Sequence, residues 1–219
     1  MGALWAANPA EWVVACRADE RAAIKGAFGI ANNARFQALL QRGLMPRSRP
    51  LQFLESPSQT RDENAMPIVL VEGGATRQDS VLNTVRAAQS DWVVVHDAAR
   101  PCLSRALLEA TIEAARESGA AIAALPVSDT VKRAAPDGSI VQTLNRDEIW
   151  LAQTPQVFRR EPFEAALESA HDDDWQGTDC ASIMERAGHR VSLVKGEAEN
   201  LKVTYARDLE RAATILAGR

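Results

Sequence analysis

The sequence predicts an α/β fold, and three observations predict it. From about Met66 onward, short β-branched runs alternate with longer Ala- and Leu-rich stretches of helical period. The apolar runs end in Gly, Asp or Pro, as strands do where loops lead into helices. At 219 residues and 46% hydrophobic content, the chain can bury a substantial core, and a single domain over 1–219 is the economical division.

Within residues 1–65, WVVAC (Trp12 to Cys16) has the composition of a strand and ARFQALLQRG (Ala34 to Gly43) that of a helix. The following MPRSRPLQFLESPSQTRDENAMP holds four prolines and many polar residues, and it reads as a long loop. PIVLVEGG (Pro67 to Gly74) is a buried strand ending in glycines. A helix then runs from Ser80 to Gln89, with Val81, Val85 and Ala88 at helical spacing and Ser80 or Asp79 as its cap. The strand WVVVH, a helix capped by Ser104, and the strand AAIAALPV follow, the last ended with help from Pro126. Strands joined through helices imply parallel neighbours.

The rhythm breaks between Ser128 and Trp150. Pro136-Asp137-Gly138 separates two alternating segments, Thr130 to Arg133 and Ser139 to Leu144, the pattern of a β-hairpin. With so few large apolar residues it cannot form a core, so it reads as an arm over about 128–150 that packs on a second subunit. Helices near Pro162 to Ala170 and Asp179 to Ala187, a strand in HRVSLVKG and a helix from Ala206 to Leu216 complete the chain.

A net charge of -4 argues against a surface for nucleic acid or anionic membranes, while leaving room for a local basic pocket. Cys16, Cys102 and Cys180 are odd in number and show no CxxC spacing, which points away from a disulfide framework or zinc and toward the reducing cytoplasm. No apolar run has the length of a membrane span, and MGALWAANPAEW does not look like a signal peptide.

Ligands of open α/β sheets bind at the carboxyl ends of the strands. Asp97 directly follows WVVVH, where its carboxylate can take a hydrated Mg²⁺ or a sugar hydroxyl; the alternative is an acid that simply ends a strand. In EGGATRQDS, Gly73 and Gly74 permit close approach of a ligand to the backbone, and Ser80 offers a hydroxyl. Arg100, Lys132, Arg133, Arg146 and Lys202 can neutralise phosphate oxygens, although each alone also fits a solvated surface charge. Lys202, between Leu201 and Val203, reads as a strand-edge lysine held rigidly. His96, His171 and His189 lack metal-ligand spacing and read as structural or surface residues. Cys180 has no base nearby in sequence, and neither GxGxxG nor GxxxxGK[ST] occurs.

The ordered set GGATRQDSV, VHDAARP, LPVSDTVKR, NRDEIWLAQTPQVF, TDCAS and VKGEAENLKVT resembles the 2-C-methyl-D-erythritol 4-phosphate cytidylyltransferase family. The resemblance implies a Rossmann-like, three-layer nucleotidyltransferase fold, mostly parallel, with a projecting β-hairpin arm. It implies transfer of CMP from CTP to the 4-phosphate of methylerythritol, with Mg²⁺ and release of pyrophosphate. Carried over by position, Gly74 and Ser80 would meet the cytosine, and Ala98 and Arg100 would lie by the nucleotide. Asp97 would serve the metal, the sugar alcohol or both. Thr130, Arg146, Thr154 and Lys202 would hold the phosphosugar, with Lys202, Arg146 and Asp97 as the catalytic set. The arm would cross to a partner in a homodimer, so that Thr130 and Arg146 complete the neighbour's site.

Two departures accompany the resemblance. The family's glycine-rich triphosphate loop and its Pro-Lys-Gln have no counterpart in residues 1–65, where KGAFG (Lys25 to Gly29) has glycines and a lysine but follows no strand directly. Cys180 stands where an acid commonly follows the Thr-Asp pair. A cytidylyltransferase for another polyol phosphate, such as ribitol 5-phosphate, and a non-catalytic nucleotide-binding or dimerisation protein are the competing readings.

Overall fold

The structure is a computed structural model that describes residues 12–22, 51–54, 56, 58–60 and 66–218. The expected helix at Ala34 to Gly43 and the KGAFG stretch lie outside the described residues.

Strand β1 (Trp12–Cys16) is the WVVAC segment. β2 (Leu51–Leu54) lies inside the stretch read as a loop, which corrects that reading. The prolines on either side masked it: Pro50 and Pro57 bound a four-residue strand, and a strand that short at a sheet edge tolerates them. β3 (Met66–Glu72) lies between β1 and β2 and is parallel to both. Ile68, Val69 and Leu70 are almost wholly buried, which is why β3 reads as a continuous apolar run rather than an alternating one.

Helix α1 (Arg77–Ala87) begins earlier than the spacing of its valines predicts. Thr76 is the cap: its hydroxyl accepts from the Asp79 amide at 3.1 Å, and the Asp79 carboxylate accepts from the Thr76 amide at 3.0 Å. Ser80 does not cap the helix. Its hydroxyl accepts from the Gly74 amide at 3.0 Å and donates to the Thr76 carbonyl at 2.9 Å, pinning the glycine loop to the first turn.

A second sheet has the order β4 (Trp92–Val95), β8 (Trp150–Arg159), β5 (Ala120–Pro126), β9 (Ser192–Lys195). β4 and β5 are joined through helix α2 (Arg105–Ser118), which Ser104 caps, and they run in the same direction. They are not the adjacent pair that the crossover rule leads one to expect: β8 lies between them, antiparallel to both, while β5 and β9 pair in parallel. LAQTPQVF has no strand punctuation of its own, so its insertion is decided by packing. Three helices complete the body: α3 (Arg160–Asp172), α4 (Cys180–Arg186), capped by Asp179, and α5 (Ala206–Ala217).

Alternating side chains of this sheet feed two cores. Phe158, Ala120 and Ile122 pack with α1, α3 and α4 on one face, where the Phe158 and Phe163 rings stack at 4.3 Å. Val157, Ala121 and Ala123 pack toward α2 on the other. The result is helix, sheet, helix.

The hairpin β6 (Lys132–Ala134) and β7 (Ile140–Thr143) leaves the body after β5. Gly138 takes its turn at φ 85°, in the left-handed region that a side chain disfavours. Every residue of the two strands is exposed, including Ile140 and Val141.

Candidate active site

The second sheet's register builds the site. Val95 pairs with Gln156 in an antiparallel ladder, so continuing two residues along each strand sets Asp97 opposite Thr154. The Asp97 amide donates to the Thr154 hydroxyl at 3.1 Å. Asp97 to Arg100 then turns back on itself, the Arg100 amide donating to the Asp97 carbonyl at 2.9 Å.

The Asp97 carboxylate, 17% exposed, faces two cations. Lys202 Nζ lies 3.0 Å from one oxygen and Arg77 Nη2 3.2 Å from the other. Burial by itself would raise the Asp97 carboxyl, but the Lys202 hydrogen bond and the charge of Arg77 outweigh it and hold the group below its usual range. The lysine and arginine are about half exposed, so these pairs add little stability. Their effect is to place two positive charges at the carboxyl ends of β3 and β4.

Lys202 is not on a strand edge as its sequence neighbours predict. It lies in the irregular segment before α5, fixed by the Val203 amide donating to the Ala99 carbonyl at 2.8 Å. Fully buried Asn200 secures the segment's other end, its amide donating to the Thr154 carbonyl at 2.7 Å. The Arg100 guanidinium donates to the Asn200 carbonyl at 2.8 Å, so it braces this junction. His96 is held between the Thr154 hydroxyl on Nδ1 and the Arg100 carbonyl on Nε2, each at 2.9 Å. Burial pushes its imidazole down to about 4, against the hydrogen bond to Arg100, so the ring is neutral at pH 7.

The structure brings Asp97, Ala98, Arg100, Thr154 and Lys202 together. Gly74 and Ser80 lie at the carboxyl end of β3, beside the first turn of α1. A Cβ on Gly74 would sit 2.1 Å from Asp79 Cβ, so the loop's close fold on α1 requires glycine there. Thr154 is 4% exposed and its hydroxyl is engaged on both sides, so it shapes the site from beneath. Arg146 stays at the root of the hairpin, donating to the Ser128 carbonyl at 2.7 Å, and Thr130 is exposed nearby in sequence on the arm.

Sequence reasoning missed Arg77, whose signal was its place in the first helical turn after a strand ending in glycines. It also missed Asn200 and Gln156. Gln156, buried in mid-sheet, donates to the Asp179 carboxylate at 2.9 Å and accepts from the Cys180 amide at 3.2 Å. The Cys180 thiol is fully buried and pushed up to about 11 by burial, against the pull of Arg77, so it is a neutral packing group.

The three-layer α/β body is that of a Rossmann-like nucleotidyltransferase, and it carries two cations around one carboxylate at the carboxyl ends of its strands. The family model for 2-C-methyl-D-erythritol 4-phosphate cytidylyltransferase matches residues 53–218. The chain belongs to this family. It is 46% identical over 149 residues to the 2-C-methyl-D-erythritol 4-phosphate cytidylyltransferase of Syntrophus aciditrophicus, covering 67% of this chain and 64% of that one. It is 51% identical over 153 residues to the enzyme of the same name from Chromobacterium violaceum, covering 67% and 66%. The crystal structure of 4-diphosphocytidyl-2C-methyl-D-erythritolsynthase from Anaerococcus prevotii superposes with a TM-score of 0.75 at 27% identity, covering 97% of this chain and 84% of that one. The chain thus spans slightly under two thirds of the length of these two curated relatives.

Proposed function

We propose that this single-domain protein transfers CMP from CTP to 2-C-methyl-D-erythritol 4-phosphate, releasing pyrophosphate. The observation that carries the reading is the Arg77–Asp97–Lys202 cluster, set in the stretches that match the family. In such a transfer, a phosphate oxygen of the sugar alcohol attacks the α-phosphorus of CTP in line, and the bond to the departing pyrophosphate breaks. A phosphomonoester is largely ionised at neutral pH and needs no general base. The protein's contribution is placement of the two substrates and cations that offset the developing charge.

Lys202 supplies one such cation beside the phosphosugar, and Asp97 orients it. Ala98 and Gly74, with no bulk to fill the edge, leave the nucleotide room, and Ser80 and Thr154 hold the loops on either side. Exposed Ile140 and Val141 support a homodimer in which the arm delivers Thr130 and Arg146 to the neighbouring site. Three cysteines that are buried and show no CxxC spacing fit a reducing compartment such as the cytoplasm, and among the described residues no helix is long and apolar enough to cross a membrane.

The resemblance also implies Mg²⁺ on Asp97. The described residues do not fit a metal cage held by the protein. Both Asp97 oxygens face cations, and no group of three or more His, Cys, Asp or Glu is clustered to hold an ion among them.

The test is a pyrophosphate-release assay with CTP, Mg²⁺ and methylerythritol phosphate, run beside ribitol 5-phosphate. Release with the first alone is expected. Release only with ribitol 5-phosphate would reassign the substrate, and CTP binding by calorimetry with no release from either would make the chain a non-catalytic binder. Arg146→Ala is expected to weaken use of the phosphosugar by about tenfold or more while leaving CTP binding nearly unchanged, as loss of one charged phosphate contact should.

A further inference from the structure

We propose that His96 is a positioning residue that sets Asp97, and through it Lys202, by holding the Thr154 hydroxyl in one direction. The proposal rests on the transfer reading above for its kinetic consequence, but its hydrogen-bond geometry does not.

The direction of each bond follows from the donor inventory. The Arg100 carbonyl can only accept, so His96 Nε2, 2.9 Å away, carries the ring proton. Nδ1 of the neutral ring is then an acceptor, and the Thr154 hydroxyl, 2.9 Å away, must donate to it. With its proton committed, the hydroxyl turns a lone pair to the Asp97 amide, which donates at 3.1 Å. The Arg100 amide donating to the Asp97 carbonyl closes the circuit. Every group from His96 to Arg100 in this circuit is used in one sense only.

Without an acceptor at Nδ1, the Thr154 hydroxyl is free to rotate, and the Asp97 amide loses a fixed partner. The Asp97 carboxylate that orients Lys202 at 3.0 Å then loses its support. His96 touches neither cation itself, so it acts through Thr154 and the turn.

Two conservative substitutions divide the ring's two roles. In His96→Asn the shorter amide can present an acceptor near the Nδ1 position but cannot reach Arg100. In His96→Gln the longer amide can donate to Arg100 but leaves Thr154 without its acceptor. For the full chain, H96Q is expected to lower kcat roughly tenfold, as a sub-ångström misplacement of a reacting group does, with KM for CTP within about threefold. H96N should stay within about threefold of the parent kcat. T154V should match H96Q, and the H96Q/T154V pair should cost no more than either alone.

The independent readout is NMR of the full chain, labelled with [15N]histidine for the ring nitrogens of its three histidines and uniformly with 15N for the backbone amides. The signal missing in H96N should show its proton on Nε2, and the Asp97 amide resonance should move in H96Q and T154V but little in H96N. A proton on Nδ1, an unmoved Asp97 amide in H96Q, or additive losses in the double variant would overturn the proposal. These NMR outcomes stand even if the chain proves to transfer nothing, so the two readings fail separately.

Discussion

Two polar segments leave the carboxyl ends of strands β4 and β5, and they differ in where their hydrogen bonds go. The turn from His96 to Arg100 is tied to residues far away in sequence: Thr154, Asn200 and Val203 all bond to it. The hairpin bonds inwardly. Lys132 reaches Thr143 at 2.7 Å, Ala135 donates to Ser139, and Leu144 donates to Val131. The turn's geometry is therefore set by the body, whereas the hairpin sets its own and keeps its apolar side chains outward. A segment of the first kind can hold a charge in place; one of the second kind leaves its apolar side chains exposed.

The contrast is broken most directly by deleting apolar groups from each region. Phe158→Ala, which removes a fully buried ring from the core between the sheet and the helices, is expected to cost about 3–5 kcal/mol in urea unfolding. Ile140→Ala on the arm should cost about 0.5 kcal/mol or less, since its side chain is already exposed. Equal losses would mean that the hairpin packs on the body.

The next effect belongs to the turn alone. His96 falls from 6.5 to about 4 in the fold. Between those values the unfolded chain takes up a proton that the folded one refuses, so stability is lost as pH falls, by on the order of 3 kcal/mol. Denaturation midpoints measured from pH 7.5 to 4.5 should decline, and the decline should flatten in H96N. An unchanged slope in that variant would place the pH dependence elsewhere.

Lys202→Ala separates charge placement from stability. Transfer should fall by about 10² or more, as when one preorganised cation or donor is removed from a transition state. The exposed pair with Asp97 contributes at most about 1 kcal/mol to folding, so the melting temperature should hardly move. A large fall in melting temperature would make Lys202 structural.

The smallest effect on the monomer should come from Ile140→Glu. Sedimentation is expected to shift the chain toward the monomer while unfolding of the body changes by less than about 0.5 kcal/mol. An unchanged mass would remove the arm from the subunit contact.

Most of the body was legible because its signals are local. The cap at Ser104, the strands read in PIVLVEGG and AAIAALPV, and the hairpin turn at Pro136-Asp137-Gly138 each declare themselves within a few residues. Where local signals misled, a neighbour decided. Pro50 and Pro57 hid β2, which exists because β3 offers it an edge. Thr76 overrode Ser80 as the cap because the Gly74 amide claims the serine hydroxyl. Within the site, the position of Asp97 at a strand end was readable from its place after an apolar run, whereas the strand edge expected for Lys202 was not observed.

The sequence by itself determined the α/β rhythm, the arm and the acid at the strand end, since hydrophobic period, turn chemistry and chain order are properties of nearby residues. Only the tertiary structure decided that β8 runs antiparallel between β4 and β5, and everything in the site follows from that. An antiparallel register fixes which residues face each other by counting along both strands, and it is this count that sets Thr154 opposite Asp97. Arg77, Asp97 and Lys202 are separated by 20 and about 100 residues, and no local rule connects them. Their meeting depends on the first turn of α1, the His96–Arg100 turn and the segment before α5 packing at one edge, where the Asp97 amide donates to Thr154 and the Val203 amide to the Ala99 carbonyl.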